Sequence, residues 1–515
     1  MRGPAPRARG ERSPTAGRTA DRAPGLPAGR HTTQRAWRSP LGARSVASVT
    51  TDDAPRQIRF NAFDMNCVAH QSSGLWRHPR DRSRHYNDLS YWTSLAQTLE
   101  VGAFDGIFIA DVLGTYDVYG GSNESALRTG SQVPVNDPIL LVSAMAAVTE
   151  HLGFGITAGT AYEHPYPFAR RMSTLDHLTK GRVGWNVVTG YLPSAARNMG
   201  QTDQLSHDDR YDVADEYLEV LYKLWEGSWE DDAVVEDRET GVFTDPTKVH
   251  PIEHHGRHFD VPGIHLSEPS VQRTPVIYQA GASPRGVRFA AENAEAVFVG
   301  APTLPQLAAT VTKIRDALEA AGRDRYAARV YSLLTVITDA TDEAARAKYE
   351  DYLSYASEEG ALVLNSGWMG VDLSQWDLDE PLGDVESNAI QSAAANISAA
   401  TGSDGSKWTI RDLARHTAIG GLGPVEVGSG ATIADRLQEI QEQTDVDGFN
   451  LAYAVTPGTW EDVIEFVVPE LRARGVYPTE YTPGSLRHKL HGRGDRLPGE
   501  HRGAGYRIGQ QAVVG

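Results

Sequence analysis

The sequence predicts an α/β protein folded as a (β/α)8 TIM barrel with insertions, and three observations predict it. Eight short apolar or β-branched runs are spread over residues 58–453. Most are followed by an amphipathic stretch with a readable helix start. Two spans between them, 228–272 and 359–430, are too long for ordinary connections and read as insertions that act as lids.

In chain order the runs are IRFN at 58–61, IFIA at 107–110, GFGITA at 153–158, VGWNVV at 183–188, VIYQA at 276–280, EAVFV at 295–299, RVYSLLTV at 329–336 and GFNLAY at 448–453. Helix starts pair an N-cap residue with Pro at the first turn or an acid at the third. Asp137-Pro138, Ser283-Pro284, and Thr459 with Asp462 are such pairs. A doubly wound sheet is the competing arrangement, but its dinucleotide fingerprint belongs between a strand and a helix. The match here, Gly153-Phe-Gly155-Ile-Thr-Ala158, falls inside a run, and no Gly-Lys pair exists for a P-loop.

Composition excludes some partners. The 515 residues are 40% hydrophobic and contain no run of about 18 apolar residues, so no membrane span is expected. Net charge is 49 − 67 = −18. Residues 1–50 hold ten Arg and no Lys against Glu11 and Asp21, which leaves 39 − 65 = −26 for the rest. So acidic a body repels a phosphate backbone, and nucleic-acid binding is set aside. The single cysteine, Cys67, rules out an internal disulfide and fits a reducing compartment, the cytoplasm. Residues 1–55, rich in Arg, Pro and Gly, read as a disordered leader or as a start placed too far upstream, rather than as a targeting signal. The barrel spans 56–490, and 491–515 reads as a C-terminal arm over another surface.

In such a barrel, chemistry sits at the carboxyl ends of the strands. That rule nominates Asp64, Asn66, Cys67 and His70, then Asp111, Tyr116 and Gln132, then Thr157, Tyr162, Glu163 and His164. Asn186, Thr189 and Tyr191 follow, with Asp208, Arg210 and Tyr211 opening the next helix, and finally Ala280, Gly281, Ala282 and Ser283. In this last segment, small residues before a helix let backbone N–H groups approach an anion that the helix dipole favours.

Several long motifs carry a resemblance: Asn61-Ala-Phe-Asp-Met-Asn-Cys67, Gly74-Leu-Trp-Arg-His-Pro79, Phe104-Asp-Gly-Ile-Phe-Ile-Ala-Asp111, Met172 to Arg182, Trp185-Asn-Val-Val-Thr189, His207-Asp-Asp-Arg-Tyr211 and Tyr278-Gln-Ala-Gly-Ala-Ser283. From about residue 56 to 506 the chain resembles the bacterial-luciferase-like flavin monooxygenases. Within them it is similar to the group acting on nitrilotriacetate, dibenzothiophene sulfone, long-chain alkanes and dimethyl sulfide. The resemblance implies a luciferase-like barrel that takes FMN as FMNH2 from a separate NAD(P)H:flavin reductase, with O2 as co-substrate. It further implies FMN contacts at Asp111, Thr157, Gly190, Tyr191, Tyr211 and Ala280 to Ser283, and catalytic pocket residues Cys67, His70, Tyr116 and Gln132. A homo-oligomer, dimer or tetramer, is expected, and no metal. His70 is expected to supply a proton, since an unperturbed imidazole titrates near ~6.5.

Other readings stand beside these. Cys67 fits a small buried apolar residue, His70 a satisfied loop histidine, and Tyr116 a packing ring. The His250, His254, His255 and His258 stretch has irregular spacing for a metal hydrolase site, and a deazaflavin reductase shares the barrel superfamily. Where the alkane enzymes resembled have a His after Asn-Val-Val-Thr, this chain has Tyr191, and a second expected His is lacking at Glu359-Gly-Ala-Leu362. The C-terminal half, including Lys407-Trp-Thr-Ile-Arg411 and Phe449 to Gly458, is more like the dimethyl sulfide enzymes, so a small thioether is the expected substrate. An aminopolycarboxylate fits poorly beside Asp64, Asp111 and Glu163.

Overall fold

Eight parallel strands close into a ring in the computed structural model, which describes residues 56–281, 283–381, 389–390 and 407–508. They are β1 (Arg59–Met65), β2 (Gly106–Ala110), β3 (Gly153–Gly159), β4 (Val183–Val188), β5 (Val276–Gln279), β6 (Ala296–Val299), β7 (Arg329–Asp339) and β8 (Gly448–Ala452). Hydrogen bonding runs β6-β5-β4-β3-β2-β1-β8-β7, and a β6–β7 pairing from Ala296↔Arg329 to Val299↔Ser332 closes it. Every expected run is a strand. An additional strand, Val425–Ser429, at the end of the 359–430 span, pairs with the outer half of β7 outside the ring.

Around the ring lie α1 (Leu89–Val101), α2 (Val142–Ala147), α3 (Pro165–Thr179), α4 (His207–Gly227), α5 (Pro284–Asn293), α6 (Leu304–Ala320), α7 (Gly430–Thr444) and α8 (Val468–Ala473). Of the three caps read from sequence, two are present, at Asp137, which accepts from Ile139 N–H, and at Ser283, which accepts from Gly286 N–H. Thr459 instead lies inside a helix that starts at Gly458, and its hydroxyl accepts from the Ala454 and Val455 N–H groups.

Aromatic rings fill the barrel. Phe63, Phe108 and Phe298 follow one another at 5.3 and 4.2 Å, and Tyr331 lies 5.6 Å from Phe298. Leu486 and Leu490, from a short helix Leu486–His491, complete this cluster at the amino-terminal end of the strands. Here the two glycines of the apparent fingerprint have their use. A Cβ at Gly153 would lie 2.6 Å from Leu486, and one at Gly155 would lie 2.5 Å from the Tyr278 ring. The plug is anchored by Arg487, fully buried against Glu295 at 2.6 Å, which holds that carboxyl down at about 2 against its burial. Removing one partner of such a pair costs roughly 3–5 kcal/mol.

The two insertions sit at opposite ends. The 228–272 span follows the C-terminus of α4, on the side where strands begin. It forms two hairpins, Val234–Asp237 with Val242–Thr244 and His254–His255 with Asp260–Val261. Glu216 of α4 accepts from the His258 and Phe259 N–H groups, and His265 meets Ser173 of α3 at 2.9 Å. It lies outside the barrel and is no lid, because a helix-to-strand connection reaches the wrong end. Described residues of the second span, which comes after β7, line the cavity at the carboxyl ends. The leader 1–55, Ala282 and residues 509–515 fall outside the described residues. The described part of the C-terminal segment crosses its own α4, with Tyr506 stacked 6.1 Å from Tyr222 and Arg507 on Glu226 at 3.0 Å. Among the described residues no helix is long and apolar enough to cross a membrane.

Candidate active site

The carboxyl ends of the strands open into a cavity of about 360 Å³. Thirteen of the nominated residues line it: His70, Asp111, Gln132, Thr157, Asn186, Thr189, Gly190, Tyr191, Arg210, Tyr211, Ala280, Gly281 and Ser283. Ala282 lies outside the described residues. Cys67 and Tyr116 are not on the wall. Each is 1% exposed, one layer behind it.

One end of the cavity is an anion cradle. Gln279 ends β5, and its Oε1 accepts from Gly281 N–H at 2.7 Å. Ser283 Oγ caps α5 through Gly286 N–H at 3.1 Å and lies 3.3 Å from His207 Nε2 at the start of α4. Two helix N-termini therefore converge, with Arg210 on the wall between them. Glycine keeps this room open, since a Cβ at Gly281 or Gly286 would lie 2.6 or 2.8 Å from the Tyr211 hydroxyl.

The opposite side is a chain of hydrogen bonds whose direction can be worked out. Gln132 Nε2 donates to the His70 carbonyl at 2.8 Å, so the amide must turn its oxygen to Tyr116, whose hydroxyl donates at 2.9 Å. Trp368 Nε1 donates to the Tyr116 oxygen at 3.2 Å. Tyr116 has one proton and has given it away, so Tyr191, 2.5 Å from it, is the donor in that contact. Tyr191 is left with only lone pairs for a ligand. Burial pushes its hydroxyl up to about 12, so it stays protonated.

Burial governs the titrating groups. It drives His70 down to about 3, partly opposed by the Phe63 carbonyl, and the ring stands edge-on to Phe63 at 4.4 Å. This corrects the expectation that His70 titrates near neutrality: its imidazole is neutral there and can hand on only a proton it has just received. Burial, reinforced by Asp137, raises Asp111 to about 7, while burial with Asp64 pushes the Cys67 thiol well above its usual range. The histidines of the stretch 250–258 are not gathered on one point, and His258 meets Glu216 only through its backbone N–H. His250 meets Glu230, His254 meets Glu216 and Lys223, and His255 meets Asp260. Among the described residues no group is placed to hold a metal ion.

Comparison with known proteins was decisive. The model for luciferase-like monooxygenases matches residues 63–447. The chain belongs to that family. It is 56% identical to dimethyl-sulfide monooxygenase of Hyphomicrobium sulfonivorans, covering 89% of this chain and 96% of that one. It is 49% identical to long-chain alkane monooxygenase of Geobacillus thermodenitrificans, covering 88% and 98%. Among solved structures, DmoA from H. sulfonivorans superposes with a TM-score of 0.83 at 56% identity, covering 89% and 98%. A riboflavin lyase solved with modified FMN and riboflavin gives 0.81 at 37%, covering 88% and 100%. The protein is thus a monooxygenase of the two-component, flavin-dependent luciferase-like family.

Sequence reasoning expected a lid from the 359–430 span but named none of the apolar residues that it places over the cavity of this luciferase-like barrel. Trp368, Ile390, Trp408, Leu413 and Leu422, with His416 beside Trp408 at 4.5 Å, come from the second insertion. Nothing in the sequence separates them from core residues. His207 was also missed; it stood in the quoted motif, and its place at the start of a helix beside the nominated Arg210 was the available signal.

Proposed function

We propose that this monooxygenase oxygenates dimethyl sulfide or a similarly small thioether, using FMNH2 delivered by an NAD(P)H:flavin reductase in the cytoplasm, as a homo-oligomer. The residues present fit FMN. The cradle of Gly281, Ser283, Tyr211, His207 and Arg210 suits a phosphate dianion. The buried amide oxygens of Asn186, Gln71 and Asn450, which lack partners among the described residues, border the cavity where a polar heterocycle would lie. Asp111, Thr157, Gly190 and Tyr191 would lie along that ring system. Bound there, reduced flavin supplies the two electrons that activate O2. The chain's own part is to hold the substrate under the cap, exclude water and place His70, Gln132 and Tyr191 beside the reacting atoms, with Tyr116 and Cys67 positioning them from behind.

The 56% identity to a dimethyl-sulfide monooxygenase carries the choice of thioether, and the Tyr191 wall supports it. The balanced reaction takes dimethyl sulfide, O2 and FMNH2 to methanethiol, formaldehyde, FMN and water. A second reading, alkane hydroxylation, is favoured by the apolar cap. A screen of thioethers, alkanes, sulfones and aminopolycarboxylates with a generic flavin reductase, NADH and O2 decides between them. Methanethiol with formaldehyde is expected. Efficient hydroxylation of hexadecane, with thioethers only wasting NADH, would overturn the thioether reading.

A further inference from the structure

A buried carboxyl stands behind the cavity wall with no part in the site described so far. In β1 the side chains alternate, so Phe63 faces the cavity while Asp64 shares the opposite face with Phe60 and Ala62, a face otherwise packed in the apolar core. Asp64 is 1% exposed. Its Oδ1 accepts from Met65 N–H at 2.7 Å. Its Oδ2 and the hydroxyl of Tyr453, which follows β8, are both buried without a well-formed hydrogen bond, yet the hydroxyls of Tyr453 and Tyr91 lie close enough to favour the charged carboxylate.

Tyr91 and Tyr453 lead away from Asp64 on two sides. The Tyr91 hydroxyl, from the first turn of α1, lies 2.6 Å from Thr456 Oγ1, and Thr456 N–H donates to Asp81 Oδ2 at 3.1 Å. Asp81 is itself only 4% exposed. On the other side, the Tyr453 ring lies 6.4 Å from the His70 ring, which borders the cavity. An apolar side chain at Asp64 would serve packing better, and a lone buried carboxylate would be costly, so the position calls for an acid that keeps its proton. Burial does raise Asp64 to about 8, with Asp81 adding to it and the Met65 N–H, Tyr453 and Tyr91 opposing; Cys67 is the remaining titratable neighbour.

We propose that Asp64 is a proton-relay residue that serves the His70 side of the cavity through Tyr453 and is refilled through Tyr91 and Thr456. The proposal rests on the flavin-monooxygenase assignment. When reduced flavin is bound as the monoanion, substrate, O2, FMNH⁻ and H⁺ give oxygenated substrate, FMN and water. The one proton consumed leaves the Asp64 carboxyl O–H, and the carboxylate regains it from the Tyr91 side. His70, neutral in the resting protein, accepts on one ring nitrogen as it releases from the other.

The test compares Asp64→Asn, an isosteric neutral replacement, and Tyr453→Phe with the full-length wild type. Infrared difference spectra of the flavin-free protein should show a protonated carboxyl that titrates near 8 and is missing in D64N. With FMNH2, O2 and dimethyl sulfide, both variants should bind FMN as wild type does. Both should turn over tenfold or more slowly, with a changed solvent isotope effect, and D64N should lose the pH limb near 8. Should D64N fail to fold, Y453F decides by the same kinetics. Wild-type turnover in the folded variants overturns the relay, as does slowed turnover with the wild-type pH profile and isotope effect, which marks Asp64 as structural. Absence of the carboxyl band overturns it too. If wild type oxygenates no thioether, the substrate reading fails on its own, while the infrared titration still decides whether Asp64 holds a proton.

Discussion

At the end of the cavity proposed to hold phosphate, Gln279, Gly281 and Ser283 lie within five residues of one another, and a second helix start 76 positions away completes the cradle. At the substrate end, the wall depends on segments far apart. The Gly420 N–H donates to Ser72 Oγ across 348 positions, and the neighbouring Gly421 sits directly on Gln71, beside His70. The first arrangement is local backbone geometry that a helix start supplies almost by itself. The second exists only once the barrel has closed and an insertion has folded over it. Substitutions at the two ends should therefore separate cofactor affinity from coupling and substrate choice.

The largest effect is expected at the local end. Ser283→Asp keeps an N-cap residue, so α5 should still form, but it sets a carboxylate against a phosphate dianion. FMN affinity should fall a hundredfold or more, about 2.7 kcal/mol, in a titration of the folded variant. An unchanged FMN titration would remove the phosphate from this helix start and erase the contrast.

The next effect depends on pH and on the distant end. His70, 2% exposed, titrates near ~6.5 when unfolded and at about 3 when folded, so below pH 6.5 the unfolded chain binds a proton that the native one refuses. Stability is complete above that pH and is lost as pH falls. Between pH 7 and 5 the loss due to His70 is about 2 kcal/mol. His70→Gln should show a correspondingly shallower fall in denaturant midpoint over this window, with FMN affinity at pH 7 unchanged. Parallel curves for the two proteins would mean that the ring is not held neutral by burial.

A smaller loss is expected where the cap meets the His70 loop. Gly421 has φ +62°, and a Cβ there would lie 1.8 Å from Gln71 Oε1. Gly421→Ala should cost about 1–2 kcal/mol and displace Gln71, raising H2O2 release per NADH while leaving FMN binding alone. If coupling stays at the wild-type ratio, the cap and the His70 loop are independent.

The same contrast explains what could be read from the sequence. All eight barrel strands and the Ser283 cap were legible, because alternation of apolar runs and a capping residue before Pro are local signals. The plug helix was not, since Leu486 and Leu490 are indistinguishable from any amphipathic turn until Gly153 is seen to make room for one of them. Nor was it legible that the 228–272 span folds outside the barrel, which follows from the end of the barrel at which it leaves the chain. His70 was correctly placed by its position after the first strand, but its charge state is set by surroundings gathered from several strands and could not be read from its neighbours in sequence.

The mildest effect tests substrate choice at the cap. Trp408 is half-buried, lines the cavity with Leu413 and Leu422, and packs at a tilt against His416 rather than on the anion cradle. Trp408→Ala leaves the barrel and both helix starts untouched, so FMN affinity should stay within about twofold. The lost indole widens the apolar end, and a longer chain gains contact there that dimethyl sulfide is too short to use. Each added methylene buried in such a pocket is worth about 0.8 kcal/mol at most, and an opened, partly hydrated pocket realises less. The ratio of kcat/KM for dibutyl sulfide to that for dimethyl sulfide should therefore rise about fivefold, through KM for the longer thioether. If the ratio is unchanged, the cap does not measure substrate length. Tyr191, on the wall formed by the β4 loop, is then the residue that does, and Tyr191→Ala should produce the shift instead.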